Sequence, residues 1–297
     1  MRGSCPCSSD RYRRYGGNTP CVTVETASDP PIILDLGTGL RELGLEIDAS
    51  GATDRGIDLV AFLTHLHWDH IIGLPFFTTA HNPATKMTVY GPPQAEGSLH
   101  DVFERVLHPP FFPVRLEELK GSIRFEEALS DDLQIGAAKV KVRQVPHVGT
   151  TLGFRIEADG AAIAFVSDHQ QPRDRDRVDR GVLELCRGAD VVIHDAQYTE
   201  GEFVAKSDWG HSTIAYAVHV ASEAEARNLV LFHHDPLHAD EDVDRMLGEA
   251  RAMDEAESFD SVVAASEGMS LEVRSGGSVT VGCPLGWKRS ATSGSGW

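Results

Sequence analysis

An α+β chain folded as a four-layer αββα sandwich, two sheets packed together with helices outside, is the fold class this sequence predicts. Short strand-like runs dominate each half of the chain, and a helical stretch follows in both. Polar residues recur at the ends of buried runs, as they would if many strands ended at one edge. No linker divides the 297 residues, so one domain is expected, with its core over about 15–281.

Taken in order, Cys21-Val-Thr-Val-Glu25 alternates and Ile32-Ile-Leu-Asp35 is an apolar run, with glycine-rich turns before and after the pair. Leu59-Val-Ala-Phe-Leu-Thr64 reads as a buried strand leading straight into a histidine cluster. A short strand at 87–90 and a helix at 94–107 follow. His108-Pro-Pro-Phe-Phe-Pro113 then forms a rigid apolar loop, read equally as a lid or homodimer contact and as core. Strands are expected at 138–145, 152–158 and 161–166, and a helix at 178–187 leads to the strand Asp190-Val-Val-Ile-His194. Ser212 or Thr213 caps a helix reaching about 226, Asn228-Leu-Val-Leu-Phe232 is a buried strand, and residues 240–256 are helical. The low-complexity end, 290–297, is expected to be a flexible tail.

Composition narrows the function. No apolar run approaches the roughly 20 residues that cross a bilayer, and Met1-Arg-Gly-Ser-Cys-Pro-Cys7 lacks a signal-peptide core. The expectation is a cytoplasmic protein with no membrane partner. Five scattered cysteines fit reduced thiols better than a disulfide framework. Cys5 and Cys7 could bind a metal but read more simply as two thiols on a flexible end. A formal net charge of -18 repels polyanions, so extended nucleic acid is a poor partner. The one arginine-rich stretch, residues 173–180, alternates with aspartate and reads as a solvated helix face.

The chemistry lies in the histidines. His65, His67, Asp69 and His70 fall within six residues at the end of a buried strand. Residues two apart on a strand share a face, so His65 and His67 can reach one metal. Asp69 and His70, past the turn, can point at a neighbouring one. Imidazole and carboxylate without thiolate suit zinc, iron or manganese. One short cluster cannot complete two coordination spheres. Further candidates stand at other strand ends: His147, Asp168, His194-Asp195 and His233-His234.

These pieces resemble the metallo-β-lactamase-fold hydrolases, in particular the phosphodiesterase branch with ribonuclease Z and cyclic-nucleotide phosphodiesterases. The resemblance runs from about Tyr15 to Val281 through Ile33-Leu-Asp-Leu-Gly37, Leu63-Thr-His-Leu-His-Trp-Asp-His-Ile-Ile-Gly-Leu-Pro75, Pro146-His147, Val166-Ser-Asp168, His194-Asp-Ala-Gln197, His211-Ser-Thr213 and Phe232-His-His-Asp-Pro236. It implies two divalent ions, zinc first, with manganese or iron as alternatives. His65, His67 and His147 would hold one, Asp69, His70 and His233 the other, and Asp168 would bridge them. His233 is preferred to its neighbour His234. Asp69 would also orient the attacking hydroxide. His211, at the start of a helix whose amides suit a phosphate oxygen, would protonate or stabilise the leaving alkoxide with Asp195 behind it. His81, His100, His108, His169, His219 and His238 are expected mostly on the surface.

The resemblance implies hydrolysis of a small phosphodiester, first a 3′,5′-cyclic nucleotide to its 5′-monophosphate. Processing of tRNA 3′ ends is the alternative. Ribonucleases Z carry a tRNA-gripping arm between the motifs matching His147 and Asp168, and here two strands fill that stretch. Asp195 in place of the usual Glu, and His234-Asp235 in place of Phe-Ser, depart from the ribonuclease Z pattern in the same direction. A non-hydrolytic metal-binding homologue would be expected to lack a ligand, and none is missing.

Overall fold

The computed structural model describes residues 1–282 apart from Ser28, Ser275 and Gly276; the expected tail at 290–297 lies outside the described residues, as does Cys283. The first half supplies β1 (Val22–Val24), β2 (Ile32–Leu34), α1 (Leu40–Ala49), β3 (Asp58–Phe62), α2 (Trp68–Ile71), β4 (Lys86–Gly91), α3 (Leu99–Val106) and β5 (Ser122–Glu127). The second supplies β6 (Asp132–Ile135), β7 (Ala138–Val145), β8 (Thr151–Ala158), β9 (Ala161–Val166), α4 (Arg180–Cys186), β10 (Val191–Asp195), α5 (Glu200–Lys206) and α6 (Ile214–Glu223). They are followed by β11 (Asn228–Phe232), α7 (Asp240–Arg251), β12 (Ser261–Ala264) and a β13–β14 hairpin (Ser270–Val273, Val279–Gly282).

The strands form a five-stranded sheet, β1-β2-β3-β4-β5, and a seven-stranded sheet, β12-β11-β10-β9-β8-β7-β6. Strand alternation decides what each sheet packs against. Ile32, Leu34 and Phe62 point between the sheets and meet Phe154, Phe165, Ile193, Val230 and Phe232 from the other side. Ile33, Ala61 and Leu63, offset by one, point outward onto Leu40 of α1 and Leu99 and Phe103 of α3. On the second sheet Val192, Leu229 and Leu231 point outward onto Leu185 of α4, Tyr216 and Val220 of α6, and Val243 and Met246 of α7. Three apolar layers between four structural ones give the αββα sandwich. Each fully buried Leu, Ile, Val or Phe contributes about 1.5–3 kcal/mol by leaving water.

The topology also positions the site. β9, β10, β11 and β12 are mutually parallel, and β7 runs with them because two antiparallel pairings separate it from β9. Their carboxyl ends therefore lie along one edge. The segment after β3 joins that edge where the Leu152 amide donates to the Thr64 carbonyl at 2.8 Å.

Several local expectations are corrected. The helix expected from 94 starts only at Leu99, where Ser98 and Asp101 form a capping box. The stretch 240–256 breaks after Arg251 into a 3₁₀ turn over Asp254–Ser258. The arginine–aspartate stretch from 173 is an exposed turn, not a helix face. The helix starts at Arg180 because the Asp179 carboxylate accepts from the Gly181 and Val182 amides. The amino-terminal end is not a flexible pair of thiols either. Arg2 is fully buried, donating to the carbonyls of Gly16 and His238 and paired with Asp240 at 3.5 Å. Burial pushes the Met1 amino group down to about 5.

The apolar loop at 108–113 divides. Phe112 packs edge-on against Phe76 at 5.7 Å and joins the outer core of the first sheet, whereas Phe111 is 79% exposed. Phe112→Ser should therefore cost about 1–3 kcal/mol, while Phe111→Ser should stay within about 0.5 kcal/mol. Urea midpoints check both values. Equal losses would place both rings in the core, and a smaller particle on size exclusion after Phe111→Ser would make that ring a subunit contact.

Candidate metal centre

β3 ends at Phe62, and the chain passes a bend at Thr64 to reach His67, which sits at the amino-terminal boundary of α2. His65 therefore points inward off the strand end, while the turn of α2 brings Asp69 and His70 in beside it, both buried. His147 comes from the end of β7, Asp168 from just past β9 and His233 from just past β11. Two groups result. Ligand atoms of His65, His67, His147 and Asp168 lie within 4.8 Å of one another, as do those of Asp69, His70 and His233.

Asp168 faces both. Its Oδ2 is 3.8 Å from His65 Nε2 and 3.7 Å from His147 Nε2, and its Oδ1 is 3.2 Å from His70 Nε2 and 3.3 Å from His233 Nε2. Asp69 Oδ2 is 3.2 Å from His70 Nε2 and 3.3 Å from His233 Nε2.

The far sides of the rings are held. His70 Nδ1 donates to Asp35 Oδ2 at 2.8 Å, His147 Nδ1 to the Gly210 carbonyl at 2.6 Å and His233 Nδ1 to Gln197 Oε1 at 2.8 Å. His65 Nδ1 meets the Thr64 hydroxyl at 3.0 Å, and that hydroxyl is itself held by Asp35. Each of these four rings is thereby turned with Nε2 toward the cluster. Yet His65 Nε2 and His70 Nε2 are buried without a hydrogen bond. Leaving them so would cost about 1–3 kcal/mol each, which a cation between the rings removes. Charge points the same way. Burial would raise Asp168, but His233, His70 and His65 hold its carboxyl well below the usual range. Burial and the neighbouring His70 push His65 down, keeping it a neutral, lone-pair ligand. The donor set fits two divalent ions.

A family model described as a beta-lactamase superfamily domain matches residues 32–234. The chain belongs to the metallo-β-lactamase superfamily. It is 27% identical over 297 residues to the ribonuclease Z of Synechococcus sp. strain WH7803, covering 81% of this chain and 86% of the relative. Among solved structures it resembles the metallo-β-lactamase fold protein YhfI of Bacillus subtilis (TM-score 0.65, 16% identity, 95% and 96% of the two chains). It also resembles unliganded yeast PDE1 (TM-score 0.62, 15% identity, 90% and 97%).

As a metallo-β-lactamase-fold hydrolase with a His/Asp metal site, the chain carries further groups around the cluster. His211 is buried, its Nδ1 donating to Asp195 Oδ2 at 2.8 Å, and its ring stacks on His233 at 4.9 Å between centroids. Asp195 is fully buried and accepts from the amides of His169 and Gln197. Burial works against a charge on His211, but Asp195 outweighs it and raises the imidazole to about 9.

The suggestion that helix amides beside His211 await a phosphate is corrected. α6 begins at Ile214 behind the cap Thr213, and three amides at its start are taken: Thr213 donates to Gln171, Ile214 to the Tyr198 carbonyl and Tyr216 to Thr213 Oγ1.

His234 turns away from the cluster to the Ala265 carbonyl, and His194 pairs with His169 instead of joining the cluster. His169 and His238, expected on the surface, are buried. His169 lies under Tyr216 and His238 donates to Glu202 at 2.7 Å. Among the described residues, Cys5 and Cys7 join no ligand group.

Sequence reasoning missed two contributors. Asp35, which holds His70 from behind, has φ +63, and the ligand candidate His233 has φ +58, so both stand on left-handed backbone, a conformation costing about 1–2 kcal/mol in a non-glycine residue. An aspartate closing a buried strand two residues before Gly37 was the only signal for Asp35. The other contributor is the amino-terminal segment. The Ser4 amide donates to Asp69 Oδ2 at 2.8 Å, and a Cβ at Gly3 would sit 2.3 Å from the His233 ring.

Proposed function

We propose that this protein is a dinuclear-metal phosphodiesterase that hydrolyses a small phosphodiester, with a 3′,5′-cyclic nucleotide as the first expected substrate. The observation that carries this reading is His211: a buried imidazole held by the Asp195 carboxylate and stacked on His233, placed to serve a leaving group. His65, His67 and His147 would hold one ion, Asp69, His70 and His233 the other, with Asp168 between them. Once bound, the ions supply Lewis acidity and acidify water. Asp69, restrained by the Ser4 amide, orients the attacking water. The water oxygen bonds to phosphorus as the P–O3′ bond breaks, His211 delivers its proton to O3′, and the proton the water gives up restores His211, leaving a 5′-monophosphate.

The relatives named ribonuclease Z support a second reading, cleavage of a tRNA precursor. Against it stand the charge of -18 and the stretch from His147 to Asp168, which is filled by the short hairpin of β8 and β9 with no projecting arm. The deciding experiment assays metal-loaded protein on bis(p-nitrophenyl) phosphate, cyclic AMP, cyclic GMP and a tRNA precursor. Turnover of the first three is expected. Cleavage of the precursor alone would move the assignment to RNA processing, and inactivity on all four would leave a metal-binding homologue.

A further inference from the structure

Three exposed apolar residues stand next in the chain to residues of the cluster or of its supports. Trp68, Val148 and Trp209 are 73%, 55% and 61% exposed, and none packs into the three cores. Each is the chain neighbour of a residue that builds the site. Trp68 follows His67, whose Nδ1 is 3.5 Å from His147 Nε2, and Val148 follows His147 itself. Trp209 precedes Gly210, whose carbonyl holds His147. Both tryptophans thus stand next in the chain to a residue that meets one imidazole, His67 and Gly210 respectively.

The Trp209 side is rigid. Gly210 has φ +94, and a Cβ there would lie 2.4 Å from the His147 ring, so the chain passes against that imidazole with no room for a side chain. The Trp209 amide donates to the Lys206 carbonyl at 3.0 Å, and the Lys206 ammonium lies 5.6 Å from the Trp209 ring and 4.5 Å from that of Tyr198. Asp235 pairs with that ammonium at 2.9 Å, so the lysine does not offer a free charge to a second phosphate. Trp68 and Trp209 thus offer exposed aromatic faces next to the cluster's residues, and the cation beside Trp209 is already paired. Such a surface suits a flat ring better than another anion, and indoles stack on any nucleobase.

We propose that Trp68 and Trp209 form a stacking platform for the planar base of the substrate, with Val148 beside them, so that the diester cleaved is a nucleotide and not a simple alkyl diester. This rests on the phosphodiesterase reading above and deepens it.

Calorimetric titration of the purified protein with adenosine 5′-monophosphate and with ribose 5-phosphate tests the platform without turnover. The nucleotide should bind more tightly than the baseless sugar phosphate. Trp68→Ala and Trp209→Ala should each weaken nucleotide binding by about 5- to 100-fold, leave ribose 5-phosphate unchanged and raise KM for a cyclic nucleotide more than they lower kcat. Phenylalanine at either position should restore most of the loss. Nucleotide affinity unchanged in both alanine variants overturns the platform. So does a smaller particle for Trp68→Ala on size exclusion, which would assign Trp68, with Ile72 and Phe76, to a contact with a second copy. Tryptophan-dependent nucleotide binding in a protein inactive on every phosphodiester would keep the platform and refute the phosphodiesterase reading.

Discussion

Asp168→Ala is expected to empty the centre more completely than any other single substitution. Wild-type protein expressed with ample zinc should carry about two ions per chain, because the cluster offers too many ligands for one tetrahedral ion. Asp168 is the residue whose two oxygens face different histidine groups, His65 and His147 on one side and His70 and His233 on the other. On the proposed assignment its removal would take a ligand from both ions. Metal affinity should fall by well over the roughly 10–100-fold typical of losing a supporting hydrogen bond. Asp35→Asn supplies that comparison, since Asp35 holds His70 and Thr64 from behind. Elemental analysis after dialysis reads the occupancy, and far-ultraviolet circular dichroism checks that the fold persists. Two ions retained in Asp168→Ala would remove it from the bridging position.

How much of this was legible depended on how local each signal was. His65, His67, Asp69 and His70 could be found because one strand end and one turn deliver all four. The sandwich could be read because Ile32-Ile-Leu34 and Val191-Val-Ile193 divide their side chains between two cores. β5 carried a weaker version of the same signal. Ile123 and Phe125 alternate with Ser122, Arg124 and Glu126, but both are only partly buried and no residue of the strand is fully buried. His169 could not be placed, because its burial comes from Tyr216 of α6 folding over it, a contact between residues far apart in sequence. The amino terminus was illegible for a related reason. Met1-Arg-Gly-Ser4 has no apolar period, and its order comes from Asn18, His234, Asp240 and Asp69. Tertiary hydrogen bonds and ion pairs fixed what periodicity could not.

His211→Ala separates phosphodiester cleavage from generic metal hydrolysis. An alkoxide is a poor leaving group and needs a proton, whereas p-nitrophenolate departs without one. Turnover of a cyclic nucleotide should fall by roughly 10²–10⁴, and turnover of bis(p-nitrophenyl) phosphate by far less, with metal content unchanged. The pH dependence follows from the same geometry. Asp195 raises His211 to about 9, so the imidazole carries its proton at neutral pH and loses it as the pH climbs through that value. Cations in the cluster draw the value down from there. Cyclic-nucleotide turnover should therefore show an alkaline limb at or below pH 9 that bis(p-nitrophenyl) phosphate lacks. Asp195→Asn removes the carboxylate that favours the charged ring, and should move this limb to lower pH. Equal losses on both substrates in His211→Ala would make His211 a phosphate-positioning group. A limb that stays fixed in Asp195→Asn would show that a different group gives up the proton. Loss of a metal ion in His211→Ala would instead make it a ligand, as its proximity to Asp168 and His233 allows, and the assignment of His233 would be the first to change.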